Sequence, residues 1–269
     1  MAQARSENFP VASRFLPRRE RSHLLALYGF ARLVDHAGDE AAGDRLELLG
    51  WLEEELDQVY SGSPTHSLMR RLAPTVRECR IPAEPFRRLI DANRQDQRVA
   101  SYETIDDLLA YCDLSANPIG HLVLHVFGAA TPERMRLSDA ICSGLQLTEH
   151  WQDVAEDAAR GRVYIPAADM RRFGCDQSDL SGPPASDRLR ALIAFEVGRA
   201  RTLLDQGLPL LRTLGGRPAL AVAAFVAGGR AALDAVERAG HDVLGGPPRA
   251  SRRDQGRALL ATLGRARAR

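Results

Sequence analysis

The chain has 269 residues, 45% of them hydrophobic, 26% charged and 6% aromatic, with a formal net charge of +1. It is too apolar and too nearly neutral to be a disordered chain, and it carries no bulk field to hold nucleic acid. All 36 basic residues are arginine, which excludes a Schiff-base or P-loop lysine but suits two-point grips on phosphate.

Cys79, Cys112, Cys142 and Cys175 lack metal-ligand spacing and read as reduced, mostly buried thiols. The first residues lack the apolar stretch of a signal peptide, and the longest apolar run, 219–228, is about half of a membrane-spanning helix. A soluble, cytoplasmic protein is expected.

Leu, Ala, Arg and Glu dominate, and alternating β-branched runs are scarce, so most of the chain reads as helix. Helical patterns are expected over 20–40, 44–60, 64–79 and 82–97. Thr104 is placed as the cap of a helix over 104–114, ahead of Asp106 and Asp107. Asn117-Pro118 opens a helix ending near Gly128. Thr131-Pro132-Glu133 opens a long one to about Arg160, with Gly144 as a point of interruption. A loop over 174–186 precedes long helices over 187–214 and 217–239. Gly-Gly-Pro-Pro at 245–248 separates these from a last helix over 251–263, and the tail within 257–269 is expected to fray. No repeat or long linker appears, so the expectation is a single all-α domain over 1–269 with about ten helices.

Two segments could carry chemistry. In the first, Tyr28, Arg32, Asp35 and Asp39 step by 4, 3 and 4, which places them on one face of a helix that is otherwise almost entirely apolar. Such a helix reads as buried, and buried carboxylates need a cation. In the second, Gln146, Glu149, Asp153, Asp157 and Arg160 share one face, opposite a stripe of Leu147, Trp151, Val154 and Ala158. Two pairs of carboxylates one turn apart suit magnesium, which favours oxygen ligands shared with phosphate. Two such pairs on facing helices would bracket a magnesium–diphosphate cluster; solvated, ion-paired carboxylates are the competing reading.

Across nearly its full length the sequence resembles the squalene/phytoene synthase family, closest to its bacterial hydroxysqualene synthases. The resemblance is carried by 6–21, 28–40 (YGFARLVDHAGDE), 111–128 (YCDLSANPIGHLVLHVFG), 145–166 (LQLTEHWQDVAEDAARGRVYIP) and 225–244. It implies the all-α isoprenoid synthase fold, terpene synthase-like, with a central apolar cavity and magnesium held by two aspartate motifs. These motifs map to Asp35 and Asp39, and to Asp153 and Asp157, with Glu149 standing where many members have Asn. Tyr28, Arg32 and Gln146 match residues beside the motifs. Ser6 falls in the N-terminal flap, Tyr111 at the cavity wall, and Arg160, Arg162 and Tyr164 in the diphosphate-facing run. The small residues over 219–229 are expected to leave room for a lipid chain.

Departures narrow the reading. His36 replaces a second adjacent Asp and steps off the polar stripe, which suits a plain helix residue. All five tyrosines lie at or before position 164, so the C-terminal tyrosine of complete squalene synthases has no counterpart. The resemblance therefore implies conversion of presqualene diphosphate and water to hydroxysqualene, without nicotinamide. Partner enzymes would supply the substrate and reduce the product, and a peripheral membrane contact is expected for so long a lipid. Head-to-head condensation of two farnesyl diphosphates is the alternative, and a non-catalytic assembly-factor-like role the second.

Overall fold

The structure, a computed structural model, describes residues 16–268. Among them are thirteen α-helices and no strand, in agreement with the all-α expectation. In chain order they are α1 (Arg18–Asp35), α2 (Arg45–Ser61), α3 (Ser67–Cys79), α4 (Glu84–Asp96), α5 (Ile105–Ser115), α6 (Asn117–Val126) and α7 (Pro132–Gln152). There follow α8 (Val154–Ala159), α9 (Ala167–Arg172), α10 (Asp187–Gly207), α11 (Leu210–Leu214), α12 (Gly216–Arg238) and α13 (Arg252–Ala268). A π turn, His36–Glu40, follows α1, and a 3-10 turn, Gln177–Leu180, lies in the expected loop.

The chain groups into two compact units. Within the described residues, the first holds 16–99 and 113–139, the second 100–112 and 140–268.

In the first unit, α1 buries His23, Leu24, Leu27, Phe30 and Val34. Phe30 meets Phe86 of α4 edge to face at 4.9 Å, an arrangement favoured by the ring quadrupoles. Capping follows the sequence. Asp44 accepts from the backbone N–H groups of Leu46 and Glu47 at the start of α2.

In the second unit, Thr104 caps α5 as expected, its hydroxyl accepting from the Asp107 N–H while the Asp107 carboxylate accepts from the Thr104 N–H. The interruption expected at Gly144 falls instead at Asp153, between α7 and α8. Gly144 lies in uninterrupted helix, and its missing side chain makes room for Leu204: an added Cβ would lie 3.0 Å from that side chain. The helix expected over 187–214 breaks into α10 and α11 at Pro209, which has no N–H to donate.

The small residues of α12 do not leave space where Gly229 sits. An added Cβ there would come 2.5 Å from Leu145, so the run brings helices together. By length and composition α12 could cross a membrane, yet 72% of its most apolar window is buried within the protein, as in a core helix. The last helix continues to Ala268, past the point where fraying was expected. Ala258, Thr262 and Ala266 recur every fourth residue on its buried side, and Ala258 packs with Ala227 and Ala231 of α12. The four cysteines are free; Cys112 and Cys175 are buried, whereas Cys79 and Cys142 are partly exposed.

Candidate active site

In the first unit, α1 presents Tyr28, Arg32 and Asp35, and the π turn presents Asp39. Arg32 reaches Asp35 at 3.7 Å and Glu40 at 3.8 Å. His36 Nδ1 lies 3.0 Å from Glu40, and this hydrogen bond is the main reason the Glu40 carboxyl is held below its ordinary range. The expected burial of the polar stripe is corrected: Asp39 is exposed and the Asp35 side chain is 47% exposed. The physical reason is that α1 packs through His23, Leu24, Leu27, Phe30 and Val34 on another face, leaving Tyr28, Arg32 and Asp35 only partly covered. His36 lies off the stripe and is exposed, as read from its spacing.

Sequence reasoning missed Glu40. The π turn closes between the Ala41 N–H and the His36 carbonyl at 2.9 Å, one residue wider than an α-turn, which advances Glu40 toward Arg32. The spacing of four between His36 and Glu40 was the available signal.

In the second unit, α7 carries Gln146, Glu149 and His150. Asp153 sits at the break, Asp157 lies on α8, and Arg160, Arg162 and Tyr164 follow. The segment after α8 runs beside 100–102: the Val163 N–H donates to the Ala100 carbonyl at 2.8 Å, and Ser101 and Val163 form a parallel bridge. This pairing brings Tyr102 and Tyr164 within 6.0 Å, with Tyr111 of α5 5.5 Å from Tyr102 and 6.0 Å from Tyr164. His150 stacks on Tyr164 at 3.7 Å. Its Nε2 is 3.2 Å from the Gln146 amide nitrogen, and its Nδ1 is 3.8 Å from an Asp157 oxygen. A hollow beside this group is lined by His150, Val154, Asp157, Arg162, Tyr164 and Leu180, among others.

Thus Tyr111, Gln146, Asp157, Arg162 and Tyr164 are brought into one neighbourhood, while Arg160 caps the end of α8 and is exposed. Glu149 is partly buried, its carbonyl accepting from the Asp153 N–H at 3.0 Å. Ser6 lies outside the described residues. Trp151 is fully buried, as its apolar stripe predicts. His150 and Tyr102 were missed by sequence reasoning; the steps of 4 and 7 from Gln146 through His150 to Asp157 were the readable signal.

The electrostatics of this unit favour a cation. Asp153 is pushed up to about 6, chiefly by burial and then by the charges of Asp157 and Glu156, with Arg160 and Arg249 opposing. Burial lowers His150, so its ring is neutral near pH 7. Among the described residues, no three His, Cys, Asp or Glu side chains converge on one metal position. That donor set still fits magnesium, which is commonly bound by one or two carboxylates together with phosphate oxygens.

Helices throughout the described residues, two spaced carboxylate pairs and a cluster of Tyr102, Tyr111 and Tyr164 beside one of them define the class: an all-α isoprenoid synthase-like protein. The chain belongs to the squalene/phytoene synthase family, whose model matches residues 2–254. These are enzymes acting on prenyl diphosphates, generally with a divalent metal.

The chain is 35% identical to the hydroxysqualene synthase of Rhodopseudomonas palustris over 210 residues, 77% of this chain and 70% of that one. It is 31% identical to a phytoene synthase of Arthrospira platensis over 224 residues, 77% of this chain and 72% of the other. Among solved structures, squalene synthase HpnC from Alicyclobacillus acidocaldarius is 44% identical, with a TM-score of 0.84 over 90% of this chain and 92% of that one.

Proposed function

We propose that the protein converts presqualene diphosphate and water to hydroxysqualene and diphosphate, with magnesium held by Asp35 and Asp39 and by Glu149, Asp153 and Asp157. The carrying observation is the placement of the second carboxylate pair: Asp157 lines the hollow with Arg162, His150 and Tyr164, and Asp153 stands partly buried one turn before it. A divalent cation bound there would offset charge on the departing diphosphate. Similarity to a hydroxysqualene synthase and the absence of any tyrosine after position 164 support the water-quenching step.

In the reaction the carbon–oxygen bond to diphosphate breaks heterolytically, and diphosphate keeps the electron pair. The cyclopropylcarbinyl cation rearranges, a water oxygen bonds to carbon, and the water's proton leaves to solvent. Arg32 and Arg162 are assigned to phosphate oxygens, which guanidinium groups grip at two points. Tyr111 and Tyr164 supply aromatic faces that can stabilise a cation. Gln146 acts on Asp157 through His150, and Tyr28 is assigned to the site on the face it shares with Arg32 and Asp35. The chain is read as one functional domain, cytoplasmic and peripheral at a membrane, between a partner enzyme that makes presqualene diphosphate and one that reduces hydroxysqualene.

Condensation of two farnesyl diphosphates is the second reading, favoured by the phytoene synthase relatives. Purified protein with magnesium and presqualene diphosphate, without NADPH, is expected to give a C30 alcohol, and farnesyl diphosphate alone is expected to give nothing. Product from farnesyl diphosphate would move the enzyme to the condensation step. Unchanged diphosphate release by Asp35→Asn and Asp153→Asn would overturn the metal reading. Failure to bind diphosphate with magnesium at all would favour a non-catalytic role.

A further inference from the structure

The first carboxylate pair does not owe its geometry to a regular helix. Its second member, Asp39, lies in a π turn, and π turns recur at functional sites because they displace one residue from the helical register. The helical run ends at this turn, so its last carbonyls, Gly38 and Asp39 among them, have no intrahelical partner and need another donor.

Those donors come from side chains of two other helical regions. Gln97, immediately after α4, donates its Nε2 to the Gly38 carbonyl at 3.0 Å and to the Asn93 carbonyl at 3.0 Å. Arg45, the first residue of α2, donates its Nη2 to the Asp39 carbonyl at 3.0 Å and its Nε to the Ala41 carbonyl at 3.3 Å. Asn93 is itself fastened, its Nδ2 donating to the Leu89 carbonyl at 3.1 Å. It also closes the space over Gly38, where an added Cβ would lie 2.1 Å from its Oδ1. The turn is therefore gripped at Gly38, by close contact and by Gln97, and at Asp39 and the capping residue Ala41, both by Arg45.

We propose that Gln97 and Arg45 are positioning residues for the first carboxylate pair: by holding the carbonyls of the π turn they fix where the Asp39 carboxylate stands relative to Asp35, and so set the affinity for a divalent cation. This rests on the reading of Asp35 and Asp39 as magnesium ligands. A carboxylate on an unfastened turn must be ordered when the cation binds, whereas one on a fastened turn is already in place. Removal of residues that orient metal ligands commonly weakens metal affinity about 10–100-fold.

The test is calorimetric binding of inorganic diphosphate as a function of magnesium concentration, with no lipid present, on the full chain. Gln97→Met keeps bulk and removes the donor; Arg45→Met removes both of its donors; Arg45→Lys restores one. Arg45 lies at the open end of α2, so its variants keep the test alive if Gln97→Met fails to fold. Circular dichroism and thermal melting establish folding for each.

The expected result is an about tenfold rise in the magnesium concentration needed for half-maximal binding in the two Met variants. Arg45→Lys should recover most of the loss, with unchanged stoichiometry throughout. Asp39→Asn separates the two layers of the argument. If it binds like wild type, the metal reading at the first pair is wrong. If it loses binding while folded Arg45→Met binds like wild type, the positioning role is wrong and the metal reading stands.

Discussion

The imidazole of His150 lies flat against the ring of Tyr164, with centroids 3.7 Å apart and planes within 16°. The Gln146 amide nitrogen, a pure donor, stands 3.2 Å from His150 Nε2, so in this arrangement Nε2 accepts and Nδ1 carries the proton. An Asp157 oxygen lies 3.8 Å from Nδ1. One buried neutral ring thus joins the aromatic wall to the second carboxylate pair.

His150→Phe keeps the stack and loses both polar partners. The stability loss at pH 7 should be about 1–3 kcal/mol, the range for leaving a buried polar partner unsatisfied. The pH dependence should change as well. Because burial lowers the folded-state pKa of His150, the unfolded chain takes up a proton first as pH falls. Its contribution is complete above the ordinary histidine value and is lost in acid. Melting temperatures between pH 7 and 5 should therefore fall less steeply in the variant than in wild type.

Asp153 behaves oppositely. Its carboxyl is raised to about 6, so the native state holds a proton that the unfolded chain has already released. Stability declines as pH rises from about 4 toward 6, and the deficit is complete above that. In metal-free protein Asp153→Asn should raise the melting temperature more at pH 8 than at pH 5, where only part of the deficit has developed. Thermal scans in chelator at both pH values decide this; equal effects at the two would refute the assignment.

Away from the carboxylate pairs, Arg199 donates to Asp169 at 2.9 Å and to both oxygens of the fully buried Glu196 at 2.8 and 2.7 Å. Burial raises Glu196 to about 7, with the Asp169 charge adding and Arg199 opposing. Arg199→Met strands two carboxylates and should cost about 3–5 kcal/mol at pH 8, the range for breaking a buried pair. The cost should shrink near pH 5, where the stranded groups can protonate. Denaturant melts at the two pH values measure the difference.

Gly38→Ala should destabilise by about 1–3 kcal/mol through overpacking against Asn93. Asn93→Ala would remove the two nearest obstructing atoms, Oδ1 and Cγ, so the double variant should lose less than the sum of the single ones. A double-mutant cycle by urea denaturation tests this; strict additivity would show that the two residues do not meet.

Much of the molecule was legible in one dimension. Helical composition and punctuation by Pro, Gly and capping residues gave an all-α chain, and Thr104 and Asp44 cap where short polar side chains precede apolar runs. The carboxylates at 35, 39, 153 and 157 were visible because helical spacing is regular. What escaped were departures from that regularity. The break at Asp153, the π turn after Asp35 and the split at Pro209 each shift register by a residue or more, and two of the three fall at the candidate site. Spacing arguments assume 3.6 residues per turn and fail wherever that period is abandoned.

The sequence by itself determined the helices, the family and the residue types available for chemistry, because these depend on local propensity, periodicity and composition. The tertiary structure decided which of them act together. Only it placed His150 between Gln146 and Asp157, left Asp39 in solvent, and brought Gln97 onto a carbonyl of a turn 59 residues away. Long-range hydrogen bonds and the burial that shifts Asp153 depend on which surfaces meet, and spacing along the chain does not encode that.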